Sequence, residues 1–401
     1  MSTQRGWWSA LLDSIERLNT ANIDYTVIEE AALYAQGVTL PLPTTIDIAL
    51  QWDLFPRAYE LFPDHSEIEQ HPQYPRYHSF SVPYGPYTIV LRCYPNTVII
   101  TDPARIQITE HDGDQRIWVK ALDAYRDSLP EHDPRLQAIK AHLSTLQQRN
   151  NQLNKQAWNQ DTYEAWLHRH GTPAEVAAWL KKDPLLRLGS LSRYDTDYNG
   201  KRVINLLGSH GLKAIVLALL GAQVTIVDIA QGNARYAREV AQAADVAIRY
   251  IVSDVLALPE AERNASYDLV FMELGILHYF VDLEPLTKLI TQLLRSGGRL
   301  ILQDFHPIST KLITSKGKKH KVTGNYFDPT LITVPVAYSK HLPIEQQSAT
   351  QQVYEREWTL GEIVTAVAHS GLIIERLDEE PNTKIDDIGL PKTFTLLARQ
   401  P

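Results

Sequence analysis

Cysteine is almost absent from this sequence, and long apolar runs are missing altogether. Cys93 is the one cysteine among 401 residues, so an internal disulfide framework and a cysteine-rich zinc site are both excluded. No uninterrupted apolar segment approaches the roughly 20 residues that a membrane-spanning helix needs. The first residues of the chain contain no long apolar core of the kind found in a secretory signal peptide. We therefore expect a cytoplasmic protein with no membrane partner and no bound metal.

The sequence also lacks an excess of basic residues. It contains 39 Lys and Arg against 47 Asp and Glu, which gives a formal net charge of -8 at pH 7. This balance argues against a general nucleic-acid-binding surface, so we expect no nucleic acid as a partner. With 44% hydrophobic and 21% charged residues, the chain has the composition of an ordinary folded protein and the length for two domains.

Three segments follow one another along the chain. Residues 1–123 combine helical periodicity at 7–18 and 54–62 with strand-like stretches at 25–28, 45–50, 87–93 and 98–100. Residues 124–157 are mostly polar and helical, as expected of a connector, with apolar residues at helical spacing from 136 to 153. Residues 158–401 begin with helices, one of which Thr172 caps with Pro173 in its first turn.

The third segment alternates strands and helices in a way that is typical of a parallel sheet. The predicted strands are residues 203–206, 224–227, 248–252, 269–272, 299–303, 373–377 and 393–398. Helical stretches separate most of them. The last two are close enough in sequence to form an antiparallel pair.

A glycine turn between two of these strands is the most informative feature of the chain. Residues 203–211 predict a buried strand, a tight turn and the start of a helix, and the next strand ends at Asp228. In α/β sheets such a turn and helix N-terminus receive one end of a nucleoside-bearing ligand, while the acid accepts hydrogen bonds from the ribose hydroxyls. The alternative for Asp228 is an N-cap of the helix that starts near residue 231.

Residues 158–401 resemble a class I S-adenosylmethionine-dependent methyltransferase. The resemblance is carried by the turn at 203–211, Asp228, Ser253-Asp254, residues 267–270 and 277–279, and Gly297-Gly298. It implies an α/β fold with a Rossmann-like seven-stranded sheet, preceded here by a smaller mixed α/β domain and a helical connector, and S-adenosyl-L-methionine as cofactor. The cofactor contacts that it implies are Asn205, Gly208, Ser209, Gly211, Asp228, Ile229, Asp254, Val255 and Glu273.

The turn departs from the usual pattern of this family at three positions. Asn205 stands where an acid is common, and it cannot supply the carboxylate that attracts the cofactor's ammonium group. Leu207 and Ser209 stand where glycines are common, so Ser209 requires a conformation open to a residue with a β-carbon. His210 either faces the ligand or is an exposed turn histidine. Asp254 meets the adenine amino group or is a loop acid beside a helix at 258–263.

Residues that follow the fourth and fifth strands are candidates for catalysis, because ligands of open α/β sheets lie beyond the carboxyl ends of the strands. His278 and His306 are the candidate general bases, and Glu273 is a third candidate. The alternatives are that His278 packs at the start of a helix and that His306 only shapes its loop. Tyr279 is expected to contact the substrate.

A basic run at 311–321 predicts a mobile lid over an anionic substrate or, alternatively, a solvated loop. Its Lys316 and Lys319, together with Tyr326, are predicted substrate contacts, and Phe327 and Tyr338 are further candidates for the pocket wall. Trp158-Asn159 and residues 163–166 look like the helical segment that closes over the cofactor in the family.

Residues 1–123 resemble the opening of a nucleotidyltransferase-like domain more faintly. Active members have a Gly-Ser pair before a short helix and two acids in alternation on a strand that bind Mg²⁺. Here Glu29-Glu30 replace the small pair, and Ala49 replaces the acid that should follow Asp47. We therefore predict an inactive domain.

The sequence thus favours a small-molecule methyltransferase. Two alternatives remain open at this stage: an RNA-directed methyltransferase that uses the N-terminal domain as a platform, and a cofactor-binding protein without turnover. A homodimer is also left open.

Overall fold

A computed structural model describes residues 2–71, 74–109, 114–316, 319–347, 351–384 and 389–401. The chain divides into two compact units, the first comprising residues 1–145 and 327–330 and the second residues 146–326 and 331–401. Within the described ranges, no helix combines the length and the apolar character needed to cross a bilayer.

The first unit is built on a mixed sheet of seven strands in the order β3-β4-β5-β2-β1-β7-β6. Its strands are β1 (Tyr25–Ile28), β2 (Thr45–Leu50), β3 (Glu69–His71), β4 (Tyr74–Tyr84), β5 (Tyr87–Cys93), β6 (Arg105–Thr109) and β7 (Arg116–Lys120). Its helices are α1 (Ser2–Thr20), α2 (Glu29–Ala35), α3 (Phe55–Leu61) and α4 (Leu122–Arg126). Strand β2 pairs with β5 in parallel and with β1 in antiparallel orientation.

Hydrophobic periodicity explains much of this unit. Helix α1 fully buries Trp7, Leu11, Ile15 and Leu18, which recur at the spacing of one helical face. One predicted strand is wrong: residues 99–101 form a 3₁₀ turn, in which Ile99 is buried and Ile100 is exposed. A run of three β-branched residues is too short to distinguish a strand from a turn that buries one of them.

The second unit contains a seven-stranded sheet in the order β10-β9-β8-β11-β12-β18-β17. Its strands are β8 (Arg202–Leu206), β9 (Gln223–Asp228), β10 (Ile248–Val252), β11 (Tyr267–Glu273), β12 (Leu294–Phe305), β17 (Ile373–Pro381) and β18 (Pro391–Arg399). The first five are parallel to one another, whereas β18 pairs in antiparallel orientation with β12 and with β17. Every predicted strand of this segment lies within one of these strands, and the predicted antiparallel pair is confirmed.

Helices cover both faces of this sheet, and near-continuous apolar strands such as β8 and β9 are buried between them. The helices of the segment are α5 (Pro134–Trp158), α6 (Thr162–His170), α7 (Pro173–Lys182), α8 (Pro184–Leu188), α9 (Leu212–Leu219), α10 (Gln231–Ala244), α11 (Glu284–Leu293), α12 (Ile344–Gln347) and α13 (Leu360–His369). Residues of α5 from 146 onward belong to the second unit. The predicted cap of α7 is confirmed, since Thr172 and Glu175 form a reciprocal capping box.

Two small antiparallel hairpins complete the second unit. Strands β13 (Ile313–Lys316) and β14 (Lys319–Val322) form one, and β15 (Leu331–Pro335) and β16 (Gln352–Arg356) form the other. Both lie in the sequence between β12 and β17, where the chain returns to the sheet. Strand β16 contacts the 3₁₀ turn Leu277–Tyr279, which follows β11.

Candidate active site

The turn that follows β8 approaches β9 so closely that two of its positions require glycine. A β-carbon on Gly208 would lie 2.4 Å from Asn205 Oδ1 and 2.6 Å from Ile226 Cγ2. A β-carbon on Gly211, whose φ is +68°, would lie 2.7 Å from Ile226 Cδ1. Both glycines therefore allow the turn to lie directly against the neighbouring strand.

Two other residues of this turn adopt left-handed backbone conformations without being glycine. Leu207 and Ser209 both have a φ of +48°. The prediction that Ser209 takes a conformation open to a side chain is wrong, because a β-carbon disfavours this region by roughly 1 kcal/mol. Contacts hold the strained residue in place: the Ser209 amide donates to Asp228 over 3.0 Å, and its carbonyl accepts from Tyr250 Oη over 2.6 Å.

Asp228 lies at the end of β9 and organises the surrounding loop. Its Oδ1 accepts hydrogen bonds from the Ala230 amide at 3.0 Å and from Asn233 Nδ2 at 2.9 Å, while its Oδ2 accepts from the Ser209 amide. Burial raises the pKa of Asp228, and these hydrogen bonds oppose that rise. The N-cap alternative does not hold, because Ala230 occupies the N-cap of α10. Each carboxylate oxygen can accept two hydrogen bonds, so Oδ2 retains capacity for a ligand hydroxyl.

An acid, Glu273, lies on the strand adjacent to Asn205. Asn205 is buried, and its Nδ2 donates to the Phe271 carbonyl over 3.1 Å. Phe271 is the register partner of Asn205 in β11, and Glu273 ends that strand two residues later. Burial raises the pKa of Glu273 to about 7, and the charge of Lys213 counteracts part of the rise. Lys213 itself donates to the Arg187 carbonyl over 2.5 Å.

Asp254 follows β10 and already has protein partners. Its Oδ1 accepts from the Leu256 amide over 2.9 Å, and its Oδ2 accepts from Asn151 Nδ2 over 2.6 Å. The helix expected at 258–263 is limited to a 3₁₀ turn at residues 260–262. Val255 is buried in the core, and the Ile229 carbonyl lies 3.4 Å from Asn159 Nδ2. Sequence reasoning gave no role to Asn151, because no pattern within α5 shows which helical face meets the sheet.

Aromatic residues before the sheet contact the loops that follow β9 and β11. Trp158 Nε1 donates to Tyr279 Oη over 3.1 Å, and Trp166 Nε1 donates to Asn233 Oδ1 over 2.7 Å. Asn159 Oδ1 accepts from the Gln231 amide over 2.8 Å. The C-terminal end of α5 and helix α6 therefore contact the segment that carries Asp228.

His210 is half-buried and is not an exposed turn histidine; that it faces the ligand stays a prediction. Its ring packs edge-on against Trp166 at 4.6 Å and against His170 at 4.8 Å between centroids. His341 lies 5.7 Å from the same Trp166 ring. Burial, together with the charges of the neighbouring His170 and His341, lowers the pKa of His210 to about 3. The turn is thus backed by a packed cluster of neutral histidines.

His278 lies in the 3₁₀ turn that follows β11, beside two acidic residues. Its Nε2 is 3.3 Å from Glu355 Oε1, and no described residue forms a hydrogen bond with that nitrogen. Burial lowers the pKa of His278, whereas the charge of Asp304 raises it. Asp304 accepts hydrogen bonds from the amides of Gly275 and Leu277 and so fixes the turn on which His278 is carried. The sequence did not predict Glu355 as a neighbour of His278, because the two residues are far apart in the chain.

The second histidine candidate, His306, is engaged at both ring nitrogens. Its Nε2 lies 2.6 Å from Glu379 Oε1, and its Nδ1 accepts from the Ile308 amide over 3.2 Å. The residue is 1% exposed. This arrangement matches the alternative in which His306 shapes its loop.

The basic run forms a hairpin that follows a buried lysine, and its role as a lid stays a prediction. Lys311 is buried and donates to the Glu357 carbonyl over 2.7 Å, and the following residues form the β13–β14 hairpin. Lys319 is exposed at the start of β14, opposite Lys316 in register; the side chain of Lys316 and residues 317–318 lie outside the described part of the chain. Tyr326 Oη accepts from the Leu360 amide over 3.0 Å.

Of the other two proposed wall residues, only one is placed within the second unit. Tyr338 is fully buried, and its hydroxyl donates to the Ala157 carbonyl over 2.8 Å, so it belongs to the core and not to a pocket wall. Phe327 is exposed and is assigned to the first unit.

In the first unit, Asp47 forms an ion pair with Arg92. Burial raises the pKa of Asp47 to about 6, and Arg92 counteracts the rise. Glu29, which stands in place of the small residue, has a φ of +57°. Arg92 is thus the ion-pair partner of Asp47, and the charges of Glu29 and Glu30 also raise the pKa of Asp47.

The strand order and the family comparison agree on the second unit. Residues 207–302, which run from the glycine turn into β12, match the family model described as a methyltransferase domain. This segment, about a quarter of the chain, is similar to that family. It includes parallel strands of the sheet that β18 joins in antiparallel orientation.

Curated relatives of this chain include two enzymes named for quinones. A demethylmenaquinone methyltransferase from Thermus thermophilus is 31% identical over 109 residues, covering 27% of this chain and 48% of that protein. A ubiquinone biosynthesis O-methyltransferase from Xanthomonas oryzae pv. oryzae is 33% identical over 106 residues, covering 26% of this chain and 44% of that protein. The chain thus spans about half the length of the curated relatives it matches.

Two solved structures are similar to part of this chain at low identity. An S-adenosylmethionine-dependent methyltransferase from Mesorhizobium loti has a TM-score of 0.42 and 21% identity, over 53% of this chain and 96% of that chain. A magnesium protoporphyrin IX methyltransferase from Synechocystis, solved with S-adenosylhomocysteine, has a TM-score of 0.39 and 16% identity, over 63% and 100%. The similarity of residues 207–302 to methyltransferases therefore depends on the family match.

Proposed function

We propose that the second unit binds S-adenosylmethionine and transfers its methyl group to an ionisable hydroxyl of a small molecule. The observation that carries this proposal is the position of Tyr279 between the two halves of the site. The Tyr279 ring lies 4.3 Å from the His278 ring. Burial raises the pKa of Tyr279 most, and the charges of Glu355 and Asp228 also raise it. A cofactor held at Asp228 would therefore lie close to the candidate base.

The residues present suit this cofactor. Asp228 would accept from the ribose hydroxyls, since it ends β9 beside the glycine turn and each carboxylate oxygen accepts more than one hydrogen bond. Asp254, Val255 and Ile229 would border the adenine. The tight turn of Gly208, Ser209 and Gly211 would receive the methionine end, with Glu273 supplying the carboxylate that Asn205 lacks. When bound, S-adenosylmethionine supplies a methyl group on a positively charged sulfur.

The protein's own contribution to the reaction is a proton acceptor and a fixed geometry. His278 would take the hydroxyl proton of the acceptor, because its lowered pKa keeps the imidazole neutral at pH 7. Tyr279, buried and fixed by Trp158, would wall the space in which the acceptor is held. We retain Glu273 as a cofactor contact and drop His306 as a base, because both of its ring nitrogens are occupied.

An acceptor with an acidic hydroxyl suits this site better than one with a neutral amine. The names of the curated relatives, one of them an O-methyltransferase, support this class. Exposed Lys319 would favour an acceptor that also carries a negative charge, and we keep the side chain of Lys316, which lies outside the described residues, as a predicted substrate contact. Tyr326 would support the hairpin through Leu360.

For the rest of the chain we propose the organisation given by the sequence: an α/β domain at 1–123, a connector at 124–157 and the methyltransferase domain at 158–401. We propose that the first domain is an inactive nucleotidyltransferase-like domain. The ion pair of Asp47 with Arg92 supports the inactivity of this domain, because the arginine neutralises the carboxylate that would otherwise bind a metal ion.

A methyl-transfer assay tests the proposed function. The full chain is incubated with S-adenosylmethionine labelled in the methyl group and with 3,4-dihydroxybenzoate, an anionic catechol, as acceptor. We expect labelled product from the unmodified chain and a fall in kcat of about 10²- to 10⁴-fold for His278→Gln. His306→Gln is the matched control and should retain kcat. Equal losses in both variants would contradict the assignment of the base, and the absence of transfer to any hydroxylated acceptor would contradict the activity.

A further inference from the structure

We propose that Glu355 is the positioning residue of His278: its carboxylate fixes the imidazole tautomer and stabilises the imidazolium that forms during the reaction. The inference deepens the proposed function and rests on it for its catalytic consequence. No sequence motif includes Glu355, which lies in β16 within the segment between β12 and β17.

The two side chains face each other in a protected place. Glu355 Oε1 and His278 Nε2 are 3.3 Å apart, and the two side chains are 15% and 24% exposed. Within the described residues, Nε2 has no hydrogen-bond partner. The pair is therefore one small movement from a hydrogen bond, as is common for catalytic pairs before the substrate is bound.

Contacts on both sides of the pair hold Glu355 at this position independently of His278. Arg356 Nη1 donates to the Val281 carbonyl over 3.0 Å, and Trp358 Nε1 donates to the Leu277 carbonyl over 3.0 Å. These two carbonyls lie before and after His278 in the chain. The strand that carries Glu355 is thus fastened directly to the turn that carries the histidine.

Helix α5 fastens the same strand from another direction. Asn154 Oδ1 accepts from the Tyr354 amide over 3.0 Å, next to Glu355 in the chain. Asn154 is itself buried. Two separate elements, the segment at 277–281 and helix α5, therefore set the position of the Glu355 backbone, which is what a residue that orients another side chain requires.

Other acidic groups surround the pair. Burial and the charges of Glu357 and Asp304 together raise the pKa of Glu355 to about 7. The charge of Asp304 in β12 also raises the pKa of His278, against the lowering by burial, and the charges of Asp304 and Glu355 raise the pKa of Tyr279. The ionised form of Glu355 is therefore the one that a positive charge on His278 would stabilise.

The proton balance is simple. With Glu355 ionised, its carboxylate accepts Nε2–H of neutral His278, which leaves the electron pair on Nδ1 free. The hydroxyl O–H bond of the acceptor would break, its proton would move to Nδ1, and its electron pair would form the bond to the methyl carbon. S-adenosylmethionine would supply that methyl group, and the electron pair of the broken S–CH₃ bond would remain on the sulfur of the leaving S-adenosylhomocysteine. The imidazolium, stabilised by Glu355, then returns its proton to water.

Glu355→Gln tests the proposal, and Glu379→Gln is the matched control, since Glu379 faces the other buried histidine, His306. The first readout is the tautomer and pKa of His278, measured by NMR on the full chain with ¹⁵N-labelled histidine and assigned with His278→Gln. We expect Glu355→Gln to lower the pKa of His278 and to reduce the Nε2–H tautomer, and Glu379→Gln to leave both unchanged. An unchanged tautomer and pKa in Glu355→Gln would overturn the proposal.

The second readout is the pH dependence of methyl transfer to 3,4-dihydroxybenzoate. Glu355→Gln should lower kcat about 10- to 100-fold with little change in the KM for S-adenosylmethionine, and should move the acid limb of the profile to lower pH. Glu355→Asp should recover part of kcat, which separates loss of the carboxylate from loss of folding. If the unmodified chain transfers no methyl group while the NMR result holds, the proposed function fails and the pairing stands. A full kcat in Glu355→Gln would contradict the positioning role.

Discussion

The Asp228 carboxylate accepts a hydrogen bond from the Ser209 amide over 3.0 Å, and this contact joins the end of β9 to the turn that follows β8. The acid proposed to hold the ribose and the turn proposed to receive the methionine end are therefore parts of one hydrogen-bonded unit. The strained φ of Ser209 is maintained where this contact is made. Substitutions at either residue should affect both halves of the cofactor site.

Gly208→Ala should destabilise the protein. The added β-carbon would lie 2.4 Å from Asn205 Oδ1, so the turn or the buried Asn205 has to move. We expect a loss of about 1–3 kcal/mol in the free energy of unfolding, measured by urea titration. Gly361→Ala is the control, since its β-carbon would meet nothing closer than 4.0 Å and it lies in α13; it should be neutral or slightly stabilising. Equal effects of the two substitutions would contradict the close approach of the turn.

Ser209→Gly should stabilise the fold relative to Ser209→Ala. Glycine adopts a φ of +48° without the penalty of a β-carbon, whereas alanine retains it. We expect the glycine variant to be more stable than the alanine variant by about 1 kcal/mol in thermal or urea unfolding. Both variants lack the hydroxyl, so their difference isolates the backbone. A more stable alanine variant would show that Ser209 is not strained.

The histidine cluster behind the turn should make stability dependent on pH. Burial and neighbouring charges lower the pKa of His170 from 6.5 to about 4. Between these values the unfolded chain binds a proton that the folded chain does not, so the free energy of unfolding falls as the pH is lowered from 6.5 to 4. His170→Gln should reduce that fall by about one proton in slope. His168→Gln, on the exposed side of the same helix, should leave the slope unchanged; an unchanged slope in His170→Gln would refute the prediction.

Glu273 should give the opposite sign. Burial raises its pKa from 4.5 to about 7, so the folded chain keeps a proton that the unfolded chain releases, and the free energy of unfolding falls as the pH rises through this range. Glu273→Gln should therefore be more stable than the unmodified chain at pH 8, by up to roughly 3 kcal/mol, and should lose this advantage near pH 4.5. Urea unfolding at both pH values checks this, with exposed Glu260→Gln as the control. An advantage that does not depend on pH would contradict the buried charge.

The sheet of the second unit could be predicted from the sequence because its strands are short, apolar and separated by helices. The stretches that became β8, β9 and β10 are rich in β-branched residues, so a local pattern is sufficient. Strands β4, β6 and β7 were not predicted, since proline and polar residues interrupt their apolar pattern. The opposite error occurred at residues 98–100, where a short run of β-branched residues predicted a strand but the chain forms a 3₁₀ turn at 99–101.

Side-chain environments were harder to predict than strands. Lys311 belongs to a basic run in the sequence, yet its amine is buried against the Glu357 carbonyl. Asn151 and Glu355 carry no local signal, because their roles arise only when α5 and β16 pack beside the sheet. Asp228 could be identified from the sequence because it ends the strand that follows a strand, a glycine turn and a helix, which is the usual order of elements in nucleotide-binding α/β sheets.

Calorimetric titration of S-adenosylmethionine into the full chain tests the central claim most directly. The unmodified chain should bind one cofactor per chain, and Asp228→Ala should weaken the affinity about 10- to 100-fold through the loss of charge-assisted hydrogen bonds. Asp268→Ala is the matched control. Asp268 accepts hydrogen bonds from the Arg202 amide and from Arg295, as Asp228 accepts from its own neighbours. Asp268 lies near the start of β11, whereas Asp228 lies at the end of β9, where the cofactor is proposed to bind. Asp268→Ala should leave the affinity unchanged. Absence of binding by the unmodified chain, or equal affinities of the chain and Asp228→Ala, would contradict the account.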